Sequence, residues 1–263
     1  MLEAASTVVV LSEGMRELLV QEKGITLERT LVIPPWAEPE LRPWPRDEDL
    51  RAELGIGADE LLVLSAGNLG IMHSLEPVVA AARRLDGRPV RFVFVASGVG
   101  LDHWRARLDP LANVLFLPRG PSEFFSRIVA ACDAGLVPLS RGMERLAVPS
   151  RAYTLLSAGR PLLTVMDPRA DLARLVSEWK CGFNAIDGTT LADWVELSLA
   201  NPAELKESGM RARELYEARF TRQAALDRYV TLCGGTPVNG RPTPGAATPA
   251  DSELDPQQTA QSS

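Results

Sequence analysis

The sequence predicts an α/β protein built on a doubly wound, mostly parallel β-sheet. Two observations support this prediction. Short apolar runs of four to seven residues alternate with segments whose apolar residues recur at helical spacing, and turns containing Gly or Pro separate them. Alternating strands and helices form right-handed βαβ crossovers. Runs that are apolar throughout are typical of strands buried on both faces of a parallel sheet.

Three strands open the alternation, at residues 61–66, 90–96 and 114–117. Ser74 and Ser122 precede helical patterns and are predicted to be their N-caps, because a hydroxyl can accept a free N–H group of the first turn. The helix after Ser74 carries an apolar stripe, which consists of Leu75, Val78, Val79, Ala82 and Leu85.

The alternation continues in the second half of this unit. Three further strands are predicted at residues 134–139, 161–165 and 182–186. The helices predicted between and after them cover residues 149–158, 170–179 and 191–199. Residues 51–233 are therefore predicted to form one domain around this doubly wound sheet. Residues 234–263, rich in Pro, Gly, Ser and Thr, are predicted to be a disordered tail.

The beginning of the chain does not fit this unit. Residues 7–11 form a predicted strand, Ser12 caps a predicted helix, and residues 31–33 form a second strand. Prolines then break regular structure. Two interpretations stay open on the pattern alone. The two strands extend the main sheet, or residues 1–35 are the end of another α/β domain, with residues 36–50 as the linker.

Composition narrows the functional classes. Hydrophobic residues make up 46% and charged residues 24% of the 263 residues, as in soluble globular proteins. Lys and Arg number 28 against 34 Asp and Glu; the formal charge of −6 argues against nucleic acid as the main partner. Three separated cysteines and two histidines predict neither a zinc site nor a disulfide framework, so no metal or other cofactor is expected.

Targeting signals are also not apparent in the sequence. No apolar run approaches the roughly 20 residues of a membrane-spanning helix. The amino terminus opens acidic, whereas a signal peptide opens basic. These features predict a cytoplasmic protein, and they leave open a peripheral association with the inner face of the membrane.

Two glycine-containing loops follow the first two strands of the unit, where ligands of doubly wound sheets bind. Gly67, Asn68 and Gly70 would let backbone N–H groups approach an anion, although a tight turn that needs a positive φ explains the glycines equally well. Ser97 and Gly98 begin a similar loop, which lacks the third glycine of a dinucleotide site.

Basic residues in other loops point to phosphate as the ligand. Arg119 follows the third strand, where it either contacts a base or phosphate or is simply solvated. Pro149 fixes φ at a helix start and Ser150 adds a capping hydroxyl. Arg151 in the first turn opposes the helix dipole, unless an anion bridges it to the free N–H groups. His73, beside the glycine turn, is the better of the two histidines as a catalytic candidate.

Five segments of the chain together form a longer pattern. They read VVVLSEGMRELLVQEKGI…LVIPPW, LVLSAGNLGIMHSLEPVVAAARRL, RFVFVASGVG, CDAGLVPL and VPSRAYTLLSAGRPLLTV. In this order and spacing they resemble group 1 (family 4) glycosyltransferases of the GT-B fold, of the type that builds colanic acid and O-antigen. The resemblance extends from about Ala5 to about Leu232. It implies two Rossmann-like domains that face each other across a cleft, with the nucleotide-diphospho-sugar on the carboxyl-terminal domain and the acceptor on the other.

The resemblance also implies which residues bind the donor. The glycine loop approaches the diphosphate, the next loop covers the nucleoside, the loop after the third strand lines the base, and a Pro-Ser-Arg turn holds phosphates with Arg in place of the usual Lys. The implied donor-binding residues are Gly67, Asn68, Gly70, His73, Ser97, Gly98, Arg119, Glu144, Pro149, Ser150, Arg151 and Thr154.

The chain departs from the family pattern at its acidic residues. Two glutamates of the family, eight positions apart, fall on Leu146 and Thr154. Glu144 lies two residues before the first of these positions and is the candidate substitute. The Arg and Lys that usually follow the glycine loop are missing, and His73 is nearest to their place. No residue is therefore assigned as catalytic.

The resemblance implies a retaining glycosyltransferase of surface polysaccharide biosynthesis, which transfers sugar from a nucleotide diphosphate to a lipid-linked or polysaccharide acceptor without a metal. It also implies that most of the amino-terminal domain is absent here. The chain is then a fragment, one half of a split enzyme whose other polypeptide is its partner, or a non-catalytic nucleotide-sugar-binding remnant. A sugar-nucleotide 2-epimerase of the same fold is a further alternative, disfavoured by the scarcity of His and Glu in these loops.

Overall fold

The computed structural model describes residues 2–38, 41–70 and 72–235, and it contains two parallel sheets. Residues 236–263, which hold most of the predicted tail, lie outside the described residues. The first sheet pairs β1 (Val8–Val10) with β2 (Thr30–Val32). The second has the order β5-β4-β3-β6-β7-β8, and its strands are β3 (Leu61–Asn68), β4 (Val90–Ser97), β5 (Val114–Leu117), β6 (Ala134–Pro138), β7 (Leu162–Val165) and β8 (Gly182–Ala185).

Helices connect these strands and extend beyond the last one. They are α1 (Glu13–Lys23), α2 (Glu48–Glu53), α3 (Glu76–Arg84), α4 (Leu101–Leu108), α5 (Ser122–Ala131), α6 (Arg151–Ser157), α7 (Asp171–Trp179), α8 (Gly188–Ala200), α9 (Pro202–Arg219) and α10 (Arg222–Leu232). The predicted α/β class and parallel sheet are confirmed. None of the described helices is both long and apolar enough to cross a membrane.

Both faces of the central strands β3, β6 and β7 are buried, which explains why these strands are mostly apolar. Along β3, Leu62 and Leu64 pack into the core on one face, and Leu61 and Val63 pack into the core on the other. The predicted apolar stripe of α3 is buried in the second of these cores. Burial of an apolar side chain contributes roughly 1.5–3 kcal/mol, so these two cores stabilise the sheet and the helices packed on it.

Of the four serines predicted to cap helices, Ser12 alone is confirmed. Ser12 caps α1, since its Oγ accepts the Met15 N–H at 3.2 Å. The N-cap of α3 is Leu75 and not Ser74, although the Ser74 Oγ accepts the Glu76 N–H at 3.5 Å. The prediction for Ser122 is wrong, because it is the first residue of α5 and the N-cap is Pro121. Before α5 the fixed φ of Pro121 already provides an extended entry to the helix. Serine before a helical pattern is therefore a weak sign of where the first turn begins.

The first sheet stands apart from the second. β1 and β2 pair only with each other among the described strands, so the interpretation that they extend the main sheet is wrong. The carboxyl-terminal helix α10 returns to this sheet, where Arg228 Nη1 donates to the Val32 carbonyl at 3.1 Å. A further difference from the prediction is α2, whose first turn overlaps the expected linker and is capped by Asp47.

Candidate functional site

The candidate site lies at the point where the connections of the large sheet change direction. The chain runs outward from β3 through β4 to β5, and then crosses back to β6 on the other side of β3. In such sheets the ligand crevice lies beyond the carboxyl ends of the two central strands. Here the crevice is formed by the loop after β3 and by the long loop between β6 and α6, which ends at Arg151.

Arg151 reaches from the start of α6 to the end of β3. Its Nη2 donates to the Asn68 carbonyl at 2.7 Å, and its Nη1 lies 3.4 Å from Ser65 Oγ. Burial lowers the pKa of Arg151 to about 10, so the guanidinium still carries its charge at neutral pH. Within the described chain no carboxylate forms an ion pair with it. The site therefore contains a partly buried cation without a counter-charge, which is costly unless an anion binds.

The glycine loop makes room for this guanidinium. Gly67 has a φ of +130°, a conformation that side chains rarely adopt. A Cβ atom at Gly67 would lie only 3.3 Å from Arg151 Nη2. The tight turn with a positive φ, which was the alternative explanation for the glycines, is thus present at Gly67. The same glycine also lets Arg151 approach the loop closely.

His73 completes a cluster of hydrogen-bond donors. Its Nδ1 accepts the Gly70 N–H at 3.2 Å, and its Nε2 lies 3.3 Å from Arg151 Nη2. Burial, followed by the charge of Arg151, lowers the pKa of His73 and keeps the ring neutral. A neutral ring that accepts at Nδ1 carries its proton on Nε2. The Nε2–H of His73 and the Nη2 group of Arg151 are then both donors and face each other. An anionic oxygen placed beside both would accept a hydrogen bond from each.

The loop after β4 packs closely on the glycine loop. Asn68 and Ser97 are partners in the register of β3 and β4, and the Leu69 N–H donates to the Ser97 carbonyl at 2.7 Å. A Cβ atom at Gly98 would lie 1.8 Å from Asn68 Oδ1 and 2.8 Å from the Leu69 carbonyl oxygen. The structure therefore brings Ser97 and Gly98 together with Asn68, as expected of loops that share one crevice.

Other predicted residues lie further from this cluster or lack the expected contact. Arg119 follows the edge strand β5 and is exposed, without a contact to the residues above. Ser150 has a helical backbone and its hydroxyl caps nothing, so its predicted capping role is wrong. Pro149 precedes it, and Thr154 lies in α6, where its carbonyl accepts the Ser157 hydroxyl at 2.8 Å.

A second cleft lies next to this cluster, between α1, α7 and the loop of residues 139–149. Its volume is about 400 Å³, part of it open to solvent. Polar groups of Ser12, Glu144, Tyr153 and Asp171 line it together with apolar side chains. Glu144 Oε1 is buried and has no hydrogen-bond partner in the described part of the chain. Across residues 2–38, 41–70 and 72–235, no group of three or more His, Cys, Asp and Glu could hold a metal ion.

Sequence reasoning missed three residues of this region. Ser65 was detectable, because it is the one hydroxyl within the apolar run of β3 and it lies 3.4 Å from Arg151. Tyr153 and Asp171 gave no signal. A tyrosine and a helix-starting aspartate are ordinary in surface helices, and only the tertiary contact with α1 brings them to the cleft.

Comparison with curated proteins finds two relatives that are similar over much of the chain. WbjE of Pseudomonas aeruginosa, assigned as a glycosyltransferase, is 27% identical over 229 residues, which are 86% of this chain and 57% of WbjE. WcaI of Escherichia coli, assigned as a glycosyl transferase of colanic acid biosynthesis, is 28% identical over 163 residues, which are 59% of this chain and 39% of WcaI. The chain thus spans little more than half the length of WbjE. No family model matches it.

Among solved structures, HepE of Anabaena in complex with UDP-glucose is similar with a TM-score of 0.74 at 17% identity. The match covers 87% of this chain and 64% of HepE. At this identity the similarity shows the fold. Together with WbjE and WcaI, it confirms the resemblance to group 1 glycosyltransferases and the GT-B-type Rossmann-like fold.

Proposed function

We propose that this chain forms the nucleotide-sugar-binding half of a glycosyltransferase. The observation that carries the proposal is the uncompensated guanidinium of Arg151, which lies beside the glycine loop and against His73. A diphosphate supplies the missing negative charge and accepts from both donors. HepE, whose fold is similar, binds UDP-glucose, and this supports a uridine nucleotide as the first donor to test.

The same groups account for the chemistry without a metal. When the bond between the sugar and the diphosphate breaks, negative charge develops on the leaving diphosphate. Arg151 and the Nε2–H of His73 are positioned donors that stabilise such charge, an effect that commonly exceeds other contributions to catalysis. In this proposal the transfer proceeds with retention at the sugar carbon, and Gly67, Asn68, Gly70, Ser97 and Gly98 hold the donor through the backbone of their loops.

The first sheet, β1 and β2, is proposed to belong to the acceptor-binding half of the enzyme. A two-stranded pair is marginal by itself, and parallel strands are normally buried on both faces. We therefore propose that an α/β segment, in the same polypeptide or in a separate one, adds to β1 and β2. The assignment of WcaI to colanic acid biosynthesis supports a lipid-linked or polysaccharide acceptor. In this proposal the reaction takes place in the cytoplasm, at the inner face of the membrane.

Isothermal titration with UDP, GDP and their sugar conjugates tests the binding half of this proposal. Arg151→Ala removes charge-assisted hydrogen bonds worth about 1.5–3 kcal/mol, so affinity should fall about 10- to 100-fold. Arg84→Ala is the matched control, since Arg84 pairs with Asp193 on the surface between α3 and α8. Equal affinities of wild type and Arg151→Ala, or no binding by the folded wild-type chain, would refute the proposal.

A second candidate is nucleotide-sugar binding without transfer. It is favoured by Leu146 and Thr154, which stand where related enzymes carry glutamates; Leu146 is 54% exposed. A transfer assay separates the two candidates, with the chain supplied with an acceptor-binding α/β partner and radiolabelled nucleotide-sugar. Sugar transferred to a lipid or glycan acceptor supports the enzyme, whereas saturable binding without transfer supports the binding protein.

A further inference from the structure

Three segments that are distant in the sequence meet at the second cleft. The Gly14 N–H in the first turn of α1 donates to Asp171 Oδ2 in the first turn of α7, at 2.8 Å and across 157 residues. Arg145, in the loop of residues 139–149, donates from Nη2 to Gln21 Oε1 of α1 at 3.0 Å, and its Nη1 lies 3.5 Å from Glu22 Oε1. Helix α1 therefore contacts both α7 and the loop of residues 139–149.

Asp171 has a chemical reason to bind α1 at this end. The first N–H groups of a helix have no partner within the helix, and the positive end of the helix dipole attracts a carboxylate. Ser12 satisfies the Met15 N–H, and Asp171 satisfies the Gly14 N–H. The Asp171 carboxylate also pairs with Arg174 of its own helix. Its orientation is thus determined by one contact within α7 and one contact to α1.

The contact between Gly14 and Asp171 matters because α1 packs on the loop of residues 139–149, which contains Glu144. A Cβ atom at Gly14 would lie 3.5 Å from Asp171 Oδ2, from Arg145 Cγ and from the Glu144 carbonyl oxygen, so α1 packs directly on this loop. Glu144 Oε1 is buried without a protein partner in the described chain, and it lines the cleft. A buried carboxylate oxygen without a partner is costly.

We infer that Asp171 is a positioning residue, which fixes the loop of residues 139–149 against α1 and so presents Glu144 to the sugar of the donor. This inference rests on the proposed function. Arg151 has its own anchors on β3, Asn68 and Ser65. Losing the contact between Asp171 and Gly14 should therefore weaken binding of the sugar and leave binding of the diphosphate unchanged. Residues 12–22 then form part of the donor site.

Titration of Asp171→Ala with UDP and with UDP-glucose tests the inference. We expect UDP affinity within twofold of wild type and UDP-glucose affinity about tenfold lower, the value of one hydrogen bond that positions a charged group. Asp171→Asn keeps an acceptor oxygen for the Gly14 N–H and should restore most of the affinity. Asp193→Ala, on the surface of α8, is the matched control. Arg145→Ala should act in the same direction, and the double variant should lose less than the sum of the single losses.

Hydrogen exchange gives a readout that needs no ligand. In Asp171→Ala, amides of residues 139–149 and of the first turn of α1 should exchange faster, while β3 and β4 stay protected. Unchanged exchange in that loop, or an equal loss of UDP and UDP-glucose affinity together with a lower Tm, would overturn the inference. If the wild-type chain binds neither ligand, the proposed function fails, and faster exchange confined to this loop still supports the positioning role.

Discussion

Gly98→Ala should destabilise the protein strongly, because two separate costs meet at this glycine. Its φ of +113° strains a residue with a side chain by about 1–3 kcal/mol. The new methyl group would also lie 1.8 Å from Asn68 Oδ1 and 2.8 Å from the Leu69 carbonyl oxygen. The Asn68 side chain can rotate away, whereas the Leu69 carbonyl belongs to the backbone of the glycine loop. Overpacking of this kind costs a further 1–3 kcal/mol or so.

The expected loss in the free energy of unfolding is therefore about 2–6 kcal/mol, measured by urea unfolding followed by circular dichroism. Gly70→Ala is the matched control in the same crevice. Among the described residues, nothing lies within 4 Å of a Cβ atom placed at Gly70, and the φ of Gly70 is not in the positive range. A loss below 1 kcal/mol for Gly98→Ala, or an equal loss for both variants, would refute the packing of the two loops described above.

Two further predictions concern buried charge. Arg51→Met should lower the free energy of unfolding by about 3–5 kcal/mol in a denaturant titration, because Arg51 is only 1% exposed. Its loss removes the nearer of the two cations that pair with Asp133, at 3.0 Å, and the donor to the carbonyls of Ala131 and Gly57. Unchanged stability would contradict this. The pKa of His73 is lowered in the folded state, so the unfolded chain binds more protons and stability should fall as the pH drops through about 6.5. His73→Gln should remove this part of the pH dependence and His103→Gln should not; identical pH profiles of wild type and His73→Gln would show that the ring is not buried in its neutral form.

The strands of the large sheet could be predicted almost to the residue. Parallel strands buried on both faces are continuous apolar runs, and β5 was predicted with its observed bounds, Val114–Leu117. Short polar elements were harder. The first turn of α2 falls in the predicted linker, because a run of three acidic residues gives no helical pattern although it contains the N-cap, Asp47, and precedes two buried residues, Leu50 and Arg51. The long helices α9 and α10 were not assigned, since the exposed faces dominate their sequence pattern.

Several residues of the candidate site could be singled out from the sequence one at a time, whereas their contacts could not. The sequence singled out Gly67 and Arg151 separately, and only the pairing of β3 with β6 brings them together across 84 positions. The tautomer of His73 depends on the Gly70 N–H, which no pattern in the sequence reveals. No sequence pattern points to Asp171, because its contact is with a helix that precedes it by more than a hundred residues.

A crystal structure of the chain with UDP bound tests whether Arg151 and His73 together bind a diphosphate. We expect phosphate oxygens within hydrogen-bonding distance, about 2.7–3.2 Å, of both Arg151 Nη2 and His73 Nε2, with the diphosphate against the Gly67–Gly70 backbone. A nucleotide bound elsewhere, or a diphosphate that leaves the contact between Arg151 and His73 untouched, would contradict it.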